Sequence, residues 1–404
     1  MALLDVESVP SYVESVPDLA SRLGPITEVR EVGDGNLNLV FVVRDADGNG
    51  LVLKQSLPYV RTDPNWPMTR ERSSREAYVL ASHQAIDPAH VPGLLYYDAT
   101  RYVLALEDLS DHTVWRTTLN TRTEPSEDDA VAAAQLGEYI AAVGFGTSVF
   151  GVGSAAHKQA VARAINPELC EITEDLVLTE PFISHDHNVV HPDNEVDVAE
   201  LAGDPDVRHA AGLAKFAFMT RAESLLHGDL HTGSVFVRFG GGTGPSVRAF
   251  DSEFGFYGPL GFDLGMLWGN YVLAAARAVA QGQATRAGQL LGLGRITWNA
   301  FERTYRDRWP SRQDPRVYED VVLESLLRQV WTDAVTYAGA EVARRVIGFA
   351  KSADVETLPE AQRVEAARRA LRASRKLITH TLHGGTGPHP TVLADIAAEP
   401  LGIS

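Results

Sequence analysis

The stretch LLHGDLHTGSVFV, residues 225–237, is apolar at both ends and holds two histidines, an aspartate, a threonine and a serine in its middle. Apolar flanks of this kind belong to buried strands, whereas an aspartate between two histidines needs either water or a chemical task. The stretch therefore predicts a polar loop mounted on a buried frame. A Gly-rich turn at 239–244 and the run SVRAFDSEFGF follow, so residues 225–256 form a small hairpin with polar groups at its ends. Within it Asp251 and Glu253 lie two apart at a strand end, which predicts that they project on the same side. Two carboxylates aimed together repel unless a cation lies between them, and hard oxygen ligands suit Mg2+. Taken alone, the pair is equally a solvated surface face.

Upstream of this island the chain changes character. EVREVGDGNLNLVFVV, RDADGNG and LVLKQSL alternate strands and turns and predict a three-stranded antiparallel meander over the first hundred residues. Met68 to Gln84 lacks Gly and Pro and places Ala77, Leu80 and Ala81 at helical spacing, so one helix crosses this sheet. RYVLALEDL is a further strand ending in Glu107 and Asp108. From residue 111 the composition turns helical, with SEDDAVAAAQLGEYIAAV opening on a Ser N-cap and an acidic first turn. The longest uncharged run, Ile140 to Ala156, is broken by Gly144, Gly146, Gly151 and Gly153 and reads as a helix end and a loop. The fold class that results is α+β, with a small antiparallel β-rich lobe at 1–106, a hinge at 107–110 and a larger, mainly helical lobe at 111–404.

Composition limits what such a molecule does. The 404 residues are 45% apolar, as in a globular protein long enough for two domains, and carry a formal charge of −17. That charge repels phosphate backbones and anionic lipid, so neither nucleic acid nor membrane is an expected partner. A single cysteine, Cys170, cannot close an intrachain disulfide, and no signal-like start is present, so a cytoplasmic protein is expected.

Further pieces point to one chemistry. Gly33 and Gly35 in VGDGN permit positive φ, so successive backbone N–H groups can converge on a phosphate, although an isolated Gly-x-Gly between strands is also an ordinary hairpin turn. Lys54, within the strand LVLKQSL, points either to solvent or to an anion between the lobes; Glu76 on the next helix is a possible partner. In order, the chain has a Gly-rich turn, a strand lysine, a helix glutamate, a His-x-Asp loop and an aspartate 22 residues later. This is the sequence of parts found in protein-kinase-like phosphotransferases. Such chemistry needs donors and a lysine on nucleotide phosphates, a metal to neutralise developing charge and a carboxylate at the attacking hydroxyl. Asp229 suits the last role and Asp251 the metal.

The blocks EVGDGNLNLVF, KQSLPYVR, NWPMT, LEDLSDHTVWR, INPELCEITEDL, LLHGDLHTGSVFV, FDSEFGFYGPLGFDLG and ARRVIGFA, spanning residue 31 to about 350, carry a narrower likeness. The chain resembles small-molecule kinases of the aminoglycoside-phosphotransferase fold and, among these, the 5-methylthioribose kinases of bacteria and plants. The resemblance implies ATP-dependent phosphorylation of the 1-hydroxyl of S-methyl-5-thioribose, a step of methionine salvage, by a homodimer. It implies that Gly33, Gly35, Asn38, Lys54 and Glu76 serve ATP, that Glu107, Asp108 and Leu109 form a hinge reading adenine, and that Asp229 is the catalytic base. It further implies that Asp251, Ser252 and Glu253 hold Mg2+ and ATP and that Arg344 and Arg345 meet the substrate. Other acceptors, such as 5-deoxyribose, and a non-catalytic nucleotide-binding scaffold are the alternatives.

Where protein kinases place a metal-binding asparagine, five residues after the catalytic aspartate, this chain has Ser234, and Glu253 offers oxygens from another direction. On an ideal helix Val335, Ala338, Val342, Val346 and Phe349 form one apolar stripe with Arg345 at its edge and Arg344 nearly opposite. Both arginines then reach one substrate only if the helix end is irregular or the site wraps around it; otherwise one of them is an ion pair elsewhere. Trp66 is either a lid over the sugar or a packing residue, Asp263 anchors the catalytic loop, His227 braces it, and His231 has no assigned task. His185, His187 and His191 have metal-like spacing, but their loop offers no cysteine and no second ligand group, which speaks against a structural metal.

Overall fold

The computed structural model describes residues 3–33, 37–61, 63–240, 244–382 and 392–403. The expected meander is present as β1 (Ile26–Val32), β2 (Asn38–Asp45) and β3 (Gly50–Ser56), joined antiparallel. A two-stranded ribbon, β4 (Tyr59–Val60) and β5 (Asp63–Pro67), follows, then β6 (Leu94–Asp98) and β7 (Val103–Glu107). The two last strands join the meander in a five-stranded antiparallel sheet of order β1-β2-β3-β7-β6. Period-two alternation divides its faces. Phe41, Val43, Leu51, Leu53, Val103 and Ala105 bury against Val9, Tyr12, Val13 and Leu19 of the N-terminal helices Val9–Ser15 and Pro17–Ala20. Each of the Val, Leu and Phe side chains contributes roughly 1.5–3 kcal/mol on burial. The register Val40↔Lys54 and Val42↔Val52 sets the lysine on the opposite face.

The helix expected at Met68–Gln84 runs from Arg72 to Ile86. Its start is displaced because the Thr69 N–H is taken by the Glu168 carboxylate, at 3.0 and 3.1 Å, which holds residues 68–71 in a turn. The chain leaves the sheet at Glu107 and becomes mainly helical. Ser126 caps the helix Glu127–Thr147 by accepting from the Asp128 N–H, and Glu127, Asp128 and Asp129 fill its first turn. Beyond it the uncharged run forms a further helical turn, Val149–Val152, with Ser148 as its cap, rather than a plain loop.

Short strands frame the opening stretch. β8 (Thr113–Val114), β10 (Val235–Arg238) and β11 (Ser246–Ala249) form one small sheet, and β9 (Ser224–Leu225) pairs with β12 (Tyr257–Gly258) in another. Beneath them the helices Gly261–Ala280 and Asp320–Ile347 run through the core. Gly261, Gly265 and Gly269 let these helices approach closely, since a Cβ at any of them would strike the facing helix near Val330, Ala334 or Ala338. No helix among the described residues is long and apolar enough to cross a membrane.

Candidate active site

β9 delivers the chain to the polar loop, and Leu226, Leu230, Val235 and Val237 are buried, so the loop does sit on an apolar frame. Asp263, in the first turn of the helix Gly261–Ala280, accepts from the backbone N–H groups of His227 (2.8 Å) and Gly228 (3.0 Å). This is the anchoring expected of it. Gly228 has φ +87°, and any Cβ there would collide with the Phe254 carbonyl, so only glycine fits. His227 braces the loop by donating from Nε2 to the Phe250 carbonyl at 2.9 Å.

Asp229 projects from this mount into a cationic setting. Its Oδ1 accepts from Arg344 at 2.7 Å and lies 3.7 Å from Arg345, while Oδ2 lies 3.4 Å from His231 Nε2. The Gly233 N–H donates to His231 Nδ1 at 3.0 Å, so the proton of a neutral ring resides on Nε2, facing Asp229. Burial works to raise the Asp229 carboxyl, but His231 and the two arginines hold it well below the ordinary carboxylate range. Burial pushes His231 down to about 4 against the pull of Asp229, with Arg345 and Arg116 adding to the drop. His231 is therefore a neutral donor, and the charge that keeps Asp229 ionised comes from the arginines.

The helix carrying the arginines is regular to Ile347, both arginines are buried, and both approach Asp229, so of the two expected arrangements the irregular helix end is absent. The reason is Glu341, fully buried, which accepts from Arg344 Nε at i+3 and from Arg345 Nε (2.9 Å) at i+4. Asn270 donates to Glu341 at 2.9 Å and accepts from Arg116 (2.6 Å) and Thr232 (3.2 Å), tying the brace to the catalytic loop. Phe349 departs from the expected stripe: it lies beyond the helix, is exposed, and meets Trp66 at 6.0 Å.

Lys54 forms the second centre. Its Nζ bonds Glu76 at 2.7 Å and also Asp251. Burial works to lower the Lys54 ammonium, but Asp251, Glu76 and Glu253 raise it above its ordinary value. Asp251 and Glu253 are not on a strand end as expected. β11 stops at Ala249, and Asp251 adopts φ +70°, so strand alternation does not govern the pair. Glu253 turns into the N-terminal lobe, accepting from Asn38 Nδ2 (3.2 and 3.3 Å) and Arg72 Nε (3.1 Å). Burial raises both Glu76 and Glu253, against the pull of Lys54. The donor set fits a hard dication: carboxylates outnumber cations, Glu76 Oε2 is buried without a partner, and the Asp251 side chain opens to the gap at 43% exposure.

The other expected residues are placed as follows. Asn38 Oδ1 accepts from Ser56 at 3.2 Å, and Ser252 is buried between Asp251 and Glu253. Gly33 ends β1 with open space around it, while Gly35 falls outside the described residues. Glu107 accepts from the Gly93 N–H at 3.0 Å, Asp108 pairs with Arg44 at 3.0 Å, and Leu109 is buried; these three line a cavity of about 500 Å3 together with Gly50 and His112. Ser234 makes no hydrogen bond to Asp251 or Glu253 among the described contacts: its hydroxyl lies 3.3 Å from His231 and its carbonyl accepts from the Phe250 N–H. Trp66 is half-buried against Phe349 and packs with Val60, Met68 and Leu169. Glu341, Arg72, Asn270 and Arg116 were missed by sequence reasoning. Only Arg116 lay in a quoted block; the Glu-x-x-Arg-Arg spacing of Glu341 was the one available signal for the brace.

Fold and site together define a two-lobed phosphotransferase. The family model for the phosphotransferase enzyme family matches residues 28–301. The chain is 39% identical over 370 residues to a methylthioribose kinase of Pectobacterium carotovorum, covering 89% of each, and 40% identical over 380 residues to one of Yersinia enterocolitica, covering 91% of this chain and 92% of the relative. Among solved structures it is similar to an ethanolamine kinase of Plasmodium vivax, at 13% identity, TM-score 0.46 and coverage of 88% and 83%. The chain belongs to the phosphotransferase enzyme family and, within it, to the methylthioribose kinases.

Proposed function

We propose that this kinase transfers the γ-phosphoryl group of ATP to the 1-hydroxyl of S-methyl-5-thioribose, giving the 1-phosphate and ADP, a step of methionine salvage. One observation carries the reading: a single ionised carboxylate, Asp229, is held by two arginines that share a buried brace, beside an acid-rich cluster centred on Lys54. The hydroxyl oxygen forms a bond to the γ-phosphorus, the bond from that phosphorus to the β–γ bridging oxygen breaks, and the hydroxyl proton passes to Asp229. A carboxylate held so far below its ordinary range is a weak base, so it orients the hydroxyl first and takes the proton late, as a loose transition state allows. Arg344 and Arg345 sit where they would neutralise the phosphoryl oxygens.

Lys54 positions the nucleotide phosphates, Gly33 and Asn38 line their approach, the role proposed for Gly35 lies outside the described residues, and Glu107 to Leu109 form the hinge that reads adenine. Asp251, with Glu253, would hold Mg2+, which when bound neutralises charge on the β- and γ-phosphate oxygens. Trp66 covers the acceptor side. The same reading includes a cytoplasmic homodimer divided into an N-terminal lobe at 1–106, a hinge at 107–110 and a C-terminal lobe at 111–404. ADP release measured across a panel of pentoses and amino alcohols tests the substrate: turnover is expected with S-methyl-5-thioribose, and turnover confined to acceptors other than 5-substituted riboses overturns it.

A further inference from the structure

The histidine loop, read from sequence as lacking a second ligand group, acquires one in three dimensions. Glu180, in the 3-10 turn Glu180–Phe182, is buried, and its Oε2 lies 2.9 Å from His187 Nδ1 and 3.6 Å from His185 Nδ1. One ligand atom from each of the three residues falls within 4.8 Å of the others. His191 is not part of the group; it meets Glu360 at 3.1 Å and caps the next turn. We propose that Glu180, His185 and His187 bind a divalent transition-metal ion of the Zn2+ class, distinct from the metal at Asp251.

Three observations support this. Bonds of about 2.0–2.1 Å at the tetrahedral angle set ligand atoms roughly 3.3 Å apart, and the separations of 2.9 and 3.6 Å from Glu180 bracket that value. Second, a buried carboxylate requires a counter-charge, and among the described residues Glu180 pairs with no lysine or arginine, only with imidazoles. Third, the His187 N–H donates to His185 Nδ1 at 3.2 Å, so that nitrogen keeps the unprotonated lone pair a metal needs, and the ion would compete with this bond. Two imidazoles and one carboxylate leave a fourth position open to water, whereas Mg2+ prefers oxygen alone.

The place of the site gives it a consequence. His187 packs on Phe349 at 5.4 Å, Phe349 packs on Trp66 of β5, and the Val189 N–H donates to the Ile347 carbonyl at 3.1 Å, three residues past Arg344. An ion here fastens the loop at 183–191 to the end of the arginine helix and, through Phe349, to the N-terminal lobe.

The test uses the untagged full chain stripped with a chelator and titrated with Co2+. Visible absorption saturating at one equivalent and displaced by Zn2+ is expected, together with a rise in Tm on Zn2+ addition. His185→Ala and His187→Ala, at surface-accessible positions, each weaken Co2+ binding at least about tenfold. His191→Ala and Asp251→Asn leave it unchanged. No visible band, a band that survives His187→Ala, or a band lost in Asp251→Asn overturns the proposal.

Discussion

The two charged centres of this molecule are built from the same residue types and end with opposite balances. Around Lys54 three carboxylates, Glu76, Asp251 and Glu253, face two cations, Lys54 and Arg72. Around Asp229 two carboxylates, Asp229 and Glu341, face two arginines. The first centre is short of positive charge, the balance that the proposed dication would redress. The second is already neutral; in the proposed reaction its arginines would be shared between Asp229 and the phosphoryl group. The two centres thus differ by one charge, and the proposed division between metal binding and acceptor activation rests on that difference.

Breaking the second centre at its carboxylate gives the largest effect. Asp229→Asn keeps the shape and removes the proton acceptor, so kcat falls about 10²–10⁴-fold while ATP affinity, followed by calorimetry, stays near that of the parent. If both fall together, Asp229 belongs to the nucleotide side and the division fails. Glu341→Gln strikes the brace: leaving two buried arginines with Asp229 alone as counter-charge costs about 3–5 kcal/mol, visible as a lower denaturant midpoint, with kcat reduced and nucleotide affinity retained. Arg344→Lys follows, with a roughly 10–100-fold loss of kcat/KM for the acceptor, since a hydrogen bond to a charged group contributes about 1.5–3 kcal/mol. Arg345→Lys costs less, because Arg345 stands farther from Asp229.

The smallest expected effect concerns pH. His83 and His231 are pushed down to about 3 and about 4 by burial, so the folded state binds fewer protons than the unfolded chain, whose histidines titrate near 6.5. Stability from these groups is complete above pH 6.5 and is lost as pH falls toward 4, by up to a few kcal/mol. Asp229, also depressed, loses its contribution only further down. Denaturant midpoints from pH 7.5 to 4.5 should therefore decline while the ionisation of Asp229, and with it kcat, shows no acid limb above pH 5. An inflection of kcat near 6.5 would show that His231 titrates as an exposed ring and that the arginine centre is more open than described.

Much of the fold was legible because it rests on local pattern. The meander, the crossing helix, the Ser126 cap and the apolar frame of Leu226, Val235 and Val237 all follow from periodicity and capping. What escaped was decided by partners distant in sequence. Asp251 and Glu253 were expected to point together, but a positive φ and the pull of Arg72, 181 residues away, send Glu253 elsewhere. How both arginines could reach one point was left between an irregular helix end and a site wrapped around the helix, because Glu341, the centre they share, was not identified. His231 had no task until the Gly233 N–H fixed its tautomer.

The reach of Glu253 extends beyond its own ion pair. Arg72, which it holds, also donates to the carbonyls of Leu57 and Leu37, at the end of β3 and the threshold of β2, and to that of Thr69. The loop bearing Asp251 is in turn locked to the catalytic loop, because Gly228 backs directly onto Phe254. One carboxylate therefore acts as an interlock: through Arg72 it ties the ends of the lysine strand and of its neighbour to the segment that carries Asp251 and, through Phe254, to the loop that carries Asp229, so a shift of either lobe is felt by both charged centres.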